Sequence, residues 1–301
     1  RRTPSGVESR WEYDGSGRPI ALHMAGHTMT FAYDAAGRLV SRQLDGGFIE
    51  RLTWDAAGRL TAQEYGAATP TTAAPARRYG YQPNGLVNVI DHRKFGRRTL
   101  SLDPLGRVTA VQGPGWTESY RYAASGDLDH ATWPGTDEAM GDRDLVDGRV
   151  VQAGRVRVVH DGQGRVVERA VPDSTTGRGT WRYEWDDDDR LIGLVTPDGQ
   201  RWRYCYDPLG RRVAKQRIVG HGIVEQVDFT WDGPVLAEEA QTVWPDRADA
   251  PAIGRSTTWD CAPGTVAPVV QAEQRRPLAQ VDATDVDLQF YGIVANLVGA
   301  P

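Results

Sequence analysis

The sequence Trp54-Asp55-Ala56-Ala57-Gly58-Arg59-Leu60 combines an aromatic residue, an Asp-x-x-Gly turn, an arginine and an aliphatic residue. The same order recurs along the 301-residue chain, mostly at a step of 20 or 21 residues. A period of this length is typical of proteins built from stacked structural units. Further copies begin at Tyr13, Tyr33, Leu102, His160, Trp185 and Tyr206, and weaker ones at Tyr81 and Tyr122.

The residue types within each copy favour one type of turn. Aspartate at the first position and glycine at the fourth favour a type I turn that ends in a left-handed residue. Such a turn joins the two strands of a β-hairpin through a bulge. We therefore identify candidate structural turn residues, which are Asp34 and Gly37, Asp55 and Gly58, Asp103 and Gly106, Asp161 and Gly164, and Asp207 and Gly210.

The residues that flank the turns have the pattern of strands. Residues 179–185 and 201–206 alternate aromatic with polar side chains, and residues 165–169 continue from the turn as an aliphatic strand. Period-two alternation of this kind indicates a half-buried strand. Because a lone hairpin is marginal in water, neighbouring hairpins must pair edge to edge and bury one face together. The sequence predicts an all-β fold of repeated antiparallel hairpins in one continuous sheet.

The repeat resembles the tyrosine-aspartate (YD) repeat of the rearrangement hot spot (RHS) family, and the similarity covers nearly the whole chain. Residues 229–239, 259–269 and 276–281 resemble the segments that end an RHS core. Residues 290–301 resemble the start of the following unit, with Asn296 where the family usually has aspartate. The resemblance implies a curved, spiralling sheet that is part of a hollow shell.

This resemblance also suggests how the chain is organised. We expect a YD-repeat hairpin array over residues 1–245 and terminal RHS-core segments over residues 246–301. Both ends of the sequence fall close to or within a unit, so we expect it to be a piece of a longer protein. Three stretches interrupt the pattern and are expected to be loops or inserts, namely residues 66–75, 134–147 and 246–251.

In bacterial toxins of this family the shell encloses a variable C-terminal toxin domain, which is released by cleavage at an Asp-Pro-x-Gly-Leu-x-Gly-Gly site after the core. That site is absent, because Asp103-Pro104-Leu105-Gly106 and Asp207-Pro208-Leu209-Gly210 each continue into arginine. The resemblance implies a structural, encapsulating fragment of a secreted polymorphic toxin. Its implied partners are the toxin domain, other parts of the shell and a secretion-system component, and its implied location is outside the cell or on its surface.

Two alternatives stay open. One is a wall-associated or adhesin-type module that binds carbohydrate or a protein partner through its aromatic residues. The other is the core of a self-processing protease, against which the absent cleavage site counts.

Composition argues against several other classes of protein. A net charge of −5 and a pI near 5.7 argue against a nucleic-acid groove, which would need a basic face. No run of 18 apolar residues is present, so we expect no membrane span. Residues 1–4 lead directly into the first repeat, without the pattern of a signal peptide. Cys205 and Cys261 are too few for a disulfide framework, and two unpaired thiols are the favoured interpretation.

No pattern indicates chemistry, so we predict no catalytic residue, no cofactor and no metal site. Residues 186–189 are four aspartates that could offer oxygen ligands to calcium. However, Asp186 begins a turn and Asp189 fills its glycine position, which favours a strained turn with solvated carboxylates. His23 and His27 lack a metal-binding spacing for a strand. We expect the arginine after each turn to reach a carboxylate or carbonyl on the neighbouring hairpin.

Overall fold

Antiparallel β-strands make up the regular structure of the chain. The computed structural model describes residues 1–67, 76–171, 179–244, 253–277 and 287–295, and these contain strands and turns but no helix. Within these residues the strands are β1 (Ser9–Tyr13), β2 (Pro19–Met24), β3 (His27–Tyr33), β4 (Leu39–Leu44), β5 (Phe48–Trp54), β6 (Leu60–Ala67), β7 (Ala76–Tyr81), β8 (Val87–His92), β9 (Gly96–Leu102), β10 (Val108–Gly113), β11 (Trp116–Tyr122), β12 (Leu128–Thr132), β13 (Gly141–Val146), β14 (Arg149–Ala153), β15 (Val156–His160), β16 (Val166–Ala170), β17 (Thr180–Trp185), β18 (Leu191–Val195), β19 (Arg201–Tyr206), β20 (Arg212–Val219), β21 (Gly222–Asp232), β22 (Val235–Val243), β23 (Ile253–Cys261), β24 (Pro268–Pro277) and β25 (Asp287–Gly292).

Each regular repeat is one hairpin with a bulge beside its turn. In the second repeat, β3 pairs with β4 so that Phe31 lies opposite Arg42, and the register slips between Ala32 and Tyr33. A slip at the repeat aromatic residue, or at the histidine that replaces it, recurs in other hairpins, at Tyr13, Trp54, Tyr122, His160 and Trp185. The prediction of an all-β fold made of successive antiparallel hairpins is confirmed.

One expected insert is a regular element of the sheet. Residues 134–147 contain β13, which pairs with β12 on one side and with β14 on the other. The stretch was expected to be a loop or an insert; residues 134–140 lie outside the strands, and Gly141–Val146 add a strand to the sheet. This extra hairpin explains the long step between the repeats at Tyr122 and His160. Residues 68–75 and 246–251 lie outside the described residues, and Gly66 and Ala67 end β6.

The chain forms two compact units. Unit 1 consists of Arg1–Arg77, Tyr206–Gln216 and His221–Pro301, and unit 2 consists of Arg78–Cys205 and Arg217–Gly220. Unit 1 therefore joins hairpins from the beginning of the sequence to strands from its end.

The core of unit 1 lies between these two sets of strands. Val7, Leu22, Met24 and Met29 from the first hairpins form one buried cluster with apolar residues of β24. The β24 members are Val269, Val270 and Ala272. Phe290 of β25 packs against the cluster and stacks on the ring of His27, with 4.6 Å between the ring centroids. Burial of this apolar surface from both sides is the main stabilising contribution within the unit.

Unit 2 buries its side chains less deeply. In β9 half-buried residues alternate with exposed ones along the whole strand. The buried apolar side chains among its described residues are those of Tyr79, Ala131, Val156 and Tyr204. Unit 2 therefore depends more on strand pairing and half-buried aromatic residues, whereas unit 1 has a closed apolar core.

We predict that Leu22→Ala lowers the stability of unit 1 by about 3 kcal/mol, because Leu22 is 1% exposed and its removal leaves a cavity. Leu209→Ala is the matched control, because Leu209 is 76% exposed in the same unit. Urea unfolding monitored by tryptophan fluorescence measures both. Equal unfolding midpoints for the two variants would contradict the described core.

Candidate functional site

The repeated turn is the most regular arrangement of polar groups in the chain. In the second repeat the Asp34 backbone N–H donates to the Arg38 carbonyl at 3.0 Å, and the Gly37 N–H donates to the Asp34 carbonyl at 3.0 Å. Asp34 Oδ1 accepts the backbone N–H groups of Ala36 and Arg38 at 3.0 and 2.9 Å. Asp34 Oδ2 accepts Arg38 Nε at 2.7 Å. One carboxylate thus satisfies two turn amides and orients the arginine.

The same side-chain bond recurs in the other regular turns. The arginine Nε donates to the aspartate Oδ2 at 2.7 or 2.8 Å in every one of them, in the pairs Arg18–Asp14, Arg59–Asp55, Arg107–Asp103, Arg165–Asp161, Arg190–Asp186 and Arg211–Asp207. The turn glycines have positive φ, from 77° at Gly58 to 89° at Gly164. A side chain with a β-carbon is strained in this conformation, so the glycine position is fixed by the backbone.

The aspartate run is one of these turns and uses arginine as its counterion. Asp186 accepts the Arg190 guanidinium, and Asp188 lies 2.8 Å from Arg190 Nη2. Asp189 takes the glycine position with φ of 59°, and its carboxylate lies 2.9 Å from Arg165 Nη1. The expectation of solvated carboxylates was incomplete, because at least three of the four are paired with arginine. Within the described part of the chain, no cluster of three or more His, Cys, Asp or Glu could hold a metal ion.

In several repeats the arginine also connects its hairpin to the next one. Arg38 Nη1 donates to the Asp55 carbonyl at 3.0 Å, and Arg165 Nη1 donates to the Asp186 carbonyl at 2.9 Å. Arg211 Nη1 donates to the Gly233 carbonyl at 2.7 Å. The expectation that this arginine reaches a neighbouring hairpin is confirmed for Arg38, Arg165 and Arg211. We call this repeated contact the arginine ladder.

A second contact runs in the opposite direction, from the aromatic residue to the preceding repeat. Tyr33 Oη donates to the Pro19 carbonyl at 2.8 Å, and Trp54 Nε1 donates to the Leu39 carbonyl at 2.8 Å. The other bonds of this kind join Tyr122 to Val108, Trp185 to Val166 and Trp231 to Arg212. A repeat aromatic ring also makes a cation–π contact with arginine, since the Arg107 guanidinium lies 4.4 Å from the Tyr122 ring centroid.

Sequence reasoning missed the hydrogen bond that the repeat tyrosine or tryptophan donates, although the amino-acid composition gave an indication of it. The chain has 21 tryptophans and tyrosines against 5 phenylalanines. Phenylalanine could fill the same space but has no N–H or O–H to donate, so the ratio reflects the need for a polar tip. The repeat position is therefore engaged in packing and hydrogen bonding, which weakens the alternative of a sugar-stacking surface.

The histidines are held by separate partners. His23 Nδ1 lies 3.0 Å from Thr28 Oγ1, and His27 Nδ1 lies 2.9 Å from Asp45 Oδ1.

Cys205 and Cys261 are both free thiols, and burial raises the pKa of Cys261. No helix among the described residues is long and apolar enough to cross a membrane.

Unit 1 also contains buried carboxylates between its two sets of strands. Glu238 of β22 is 1% exposed and accepts Ser5 N at 3.1 Å and Thr258 Oγ1 at 3.0 Å. Asp260 of β23 accepts Trp11 Nε1 at 3.0 Å. These bonds join the first residues of the chain to its last strands. Polar residues in a strand are usually interpreted as facing solvent, so the sequence pattern gave no indication that these carboxylates are buried.

Comparison with known proteins relates this arrangement to a family. The RHS Repeat family model matches residues 33–70 and 177–217. The probable deoxyribonuclease RhsB of Dickeya dadantii is 31% identical over 216 residues, which are 71% of this chain and 15% of that protein. The toxin protein Tse5 of Pseudomonas aeruginosa is 30% identical over 250 residues, which are 81% of this chain and 16% of that protein.

A solved structure has the same fold. The crystal structure of TcdB2-TccC3-TEV superposes with a TM-score of 0.66 at 16% identity, and the match covers 99% of this chain and 16% of that one. The chain thus spans less than a fifth of the length of each of these relatives.

We predict that Tyr33→Phe destabilises the hairpin array by about 1 kcal/mol, because the Pro19 carbonyl loses its partly buried donor. Tyr13→Phe is the matched control, since Tyr13 occupies the same repeat position but is 50% exposed. Thermal unfolding measures both. A similar melting temperature for Tyr33→Phe and the unsubstituted chain would show that the hydroxyl is dispensable.

The turn aspartates predict the response to acid. The Arg38 backbone N–H and then its guanidinium hold the pKa of Asp34 below the ordinary value, and the same is true of Asp55 with Arg59. In Asp161 burial is the largest influence and raises the pKa, but the hydrogen bonds from Arg165 outweigh it. Stability from carboxylates with a lowered pKa is present above their unfolded pKa of about 3.9 and is lost as the pH falls through the folded value.

We therefore predict a urea midpoint that is constant above about pH 5 and falls below about pH 4. The variant Asp34→Asn with Asp55→Asn keeps an oxygen acceptor but has no charge to lose. It should have a lower midpoint at neutral pH and a shallower decline in acid. Parallel curves for the variant and the unsubstituted chain would contradict this assignment.

Proposed function

Since this chain is an RHS-repeat protein, we propose that it is a structural segment of a β-sheet shell that encloses a C-terminal toxin domain of a secreted polymorphic toxin. The observation that carries the proposal is the arginine ladder, which joins successive hairpins in both units through Arg38 and Arg165. A wall built from one repeated kind of connection can be extended without a new core, as a container requires. The names of the two relatives as a deoxyribonuclease and a toxin support a toxin as the cargo.

We also propose the division of labour within the chain. The aspartate and glycine of each turn are structural residues that hold the hairpins in register. Residues 1–245 form the repeat array and residues 246–301 form the segments that end the core. The division is supported by the motif itself, whose last copy with an arginine after the glycine ends at Arg211.

The same proposal assigns the chain no catalysis and no cofactor of its own. The aspartates and arginines that recur at every turn bond to each other and to backbone groups, which leaves no nucleophile and base in the repeated motif. The partners are the toxin domain, other parts of the shell and a secretion-system component. The place of action is outside the producing cell or on its surface.

We predict that the isolated 301-residue chain has no hydrolase, transferase or redox turnover. The measurement is a broad panel of chromogenic substrates and nuclease assays with the purified chain. Turnover that a single substitution in this chain abolishes would contradict the prediction, because contaminating enzymes would not respond to that substitution.

Enclosure is tested in the longer protein that contains this chain and the region that follows it. We predict that Arg38→Gln with Arg165→Gln loosens the arginine ladder and exposes the following domain to a protease about tenfold faster. Arg10→Gln is the control, since the Arg10 side chain is 71% exposed and pairs within β1 with Glu12. Identical cleavage rates in all three proteins would count against enclosure.

A further inference from the structure

Three polar side chains on neighbouring strands of unit 1 form a buried cluster. Arg42 of β4, Glu50 of β5 and Gln63 of β6 are 6%, 2% and 3% exposed. Arg42 lies directly opposite Glu50 in the β4–β5 ladder, and β5 pairs in turn with β6. The three side chains therefore leave the sheet side by side, on the same face.

Glu50 orients the other two residues. Its carboxylate accepts Arg42 Nε through one oxygen and Gln63 Nε2, at 2.5 Å, through the other. Both acceptor oxygens of Glu50 are thus used inside the cluster. The donors that remain on Arg42 and Gln63 point away from Glu50.

These remaining donors meet the backbone of the segment that follows β25. Arg42 Nη2 donates to the Ile293 carbonyl, and Gln63 Nε2 donates to the Ala295 carbonyl at 2.9 Å. The same segment is joined to β24, since the Ile293 N–H donates to the Val269 carbonyl at 2.9 Å. Arg42 and Gln63 therefore join this backbone to β4 and β6 as well.

The cluster is costly unless all its groups are satisfied. A buried ion pair repays the loss of hydration only when hydrogen bonds satisfy its remaining donors, and leaving one charge unpaired is strongly unfavourable. Here the backbone carbonyls of residues 293 and 295 provide acceptors for the donors that Glu50 does not use. The contacts are made to main-chain oxygens, so they bind backbone and do not depend on particular side chains.

We propose that Arg42, Glu50 and Gln63 form a binding site for peptide backbone, which anchors residues 293–295 through the carbonyls of Ile293 and Ala295. This role goes beyond the proposed enclosure. It concerns how the sequence that follows β25 is anchored, and it holds whatever domain comes later. Its chemical requirement is a backbone segment that presents two carbonyls, two residues apart, to the cluster.

The test is hydrogen–deuterium exchange by mass spectrometry on the full chain, with peptides that cover residues 287–295. In Arg42→Met with Glu50→Leu the ion pair is replaced as a unit by apolar residues, which avoids an unpaired buried charge. We expect exchange in these peptides to become about tenfold faster, because a charge-assisted hydrogen bond is lost. Exchange in β21 and β22 should be unchanged.

Gln63→Ala keeps the Arg42–Glu50 ion pair but removes the bonds from Gln63 to Glu50 and to the Ala295 carbonyl, and we expect about threefold faster exchange in the same peptides. Gln43→Ala is the matched control, because Gln43 is the exposed neighbour of Arg42 on β4 and should leave exchange unchanged. Unchanged exchange at residues 287–295 in both cluster variants would overturn the proposal. So would an equal increase throughout unit 1, including in Gln63→Ala, because that would show a general structural role.

Discussion

The structure depends on the contact between the turn of one hairpin and the backbone of the next. A two-stranded hairpin is marginal in water, so no repeat of this chain could fold alone. The arginine after the turn glycine carries the connection forward, from Arg38 to the Asp55 carbonyl, and the aromatic residue carries it back, from Trp54 to the Leu39 carbonyl. Each turn aspartate aligns its arginine for this contact. The residues that set the conformation of the turn consequently also stabilise the pairing of neighbouring hairpins.

The two units add different contacts to this common basis. In unit 2 the described strands bury few side chains completely, so its stability resembles a sum over neighbouring hairpins. Unit 1 adds a core in which Met29 of β3 meets Val270 of β24. That core requires chain segments more than two hundred residues apart to come together, which is slow because such loops are costly to close. Local hairpins can form early, whereas the core of unit 1 must wait for the last strands.

The sequence predicted the structural features that depend on residues within one repeat. Asp34, Gly37 and Arg38 specify a turn, a bulge and a contact to the next hairpin by their types and spacing alone, and a comparable turn is present in each regular copy. The sequence could not predict contacts between distant strands. Glu50 stands next to Arg51 and Glu238 next to Glu239, as residues of a solvent-facing surface could, and only the packing of the first hairpins on β22–β25 buries the two glutamates. Residues 134–147 were expected to interrupt the repeats as a loop or an insert, but the sequence did not predict that Gly141–Val146 pair with β12 and β14.

The buried carboxylates explain why the two layers of unit 1 meet in one register. Apolar side chains such as Leu22 and Val270 would bury similar area if one sheet slid past the other by a pair of residues. Glu238 and Asp260 would not tolerate that shift, because Ser5 and Trp11 would then lie away from their carboxylates. A buried carboxylate that loses its hydrogen-bond donor costs more than the roughly 1–3 kcal/mol of a neutral buried group, which a small gain in apolar contact does not offset. The apolar core therefore provides the attraction between the layers, and the carboxylates determine which residues face each other.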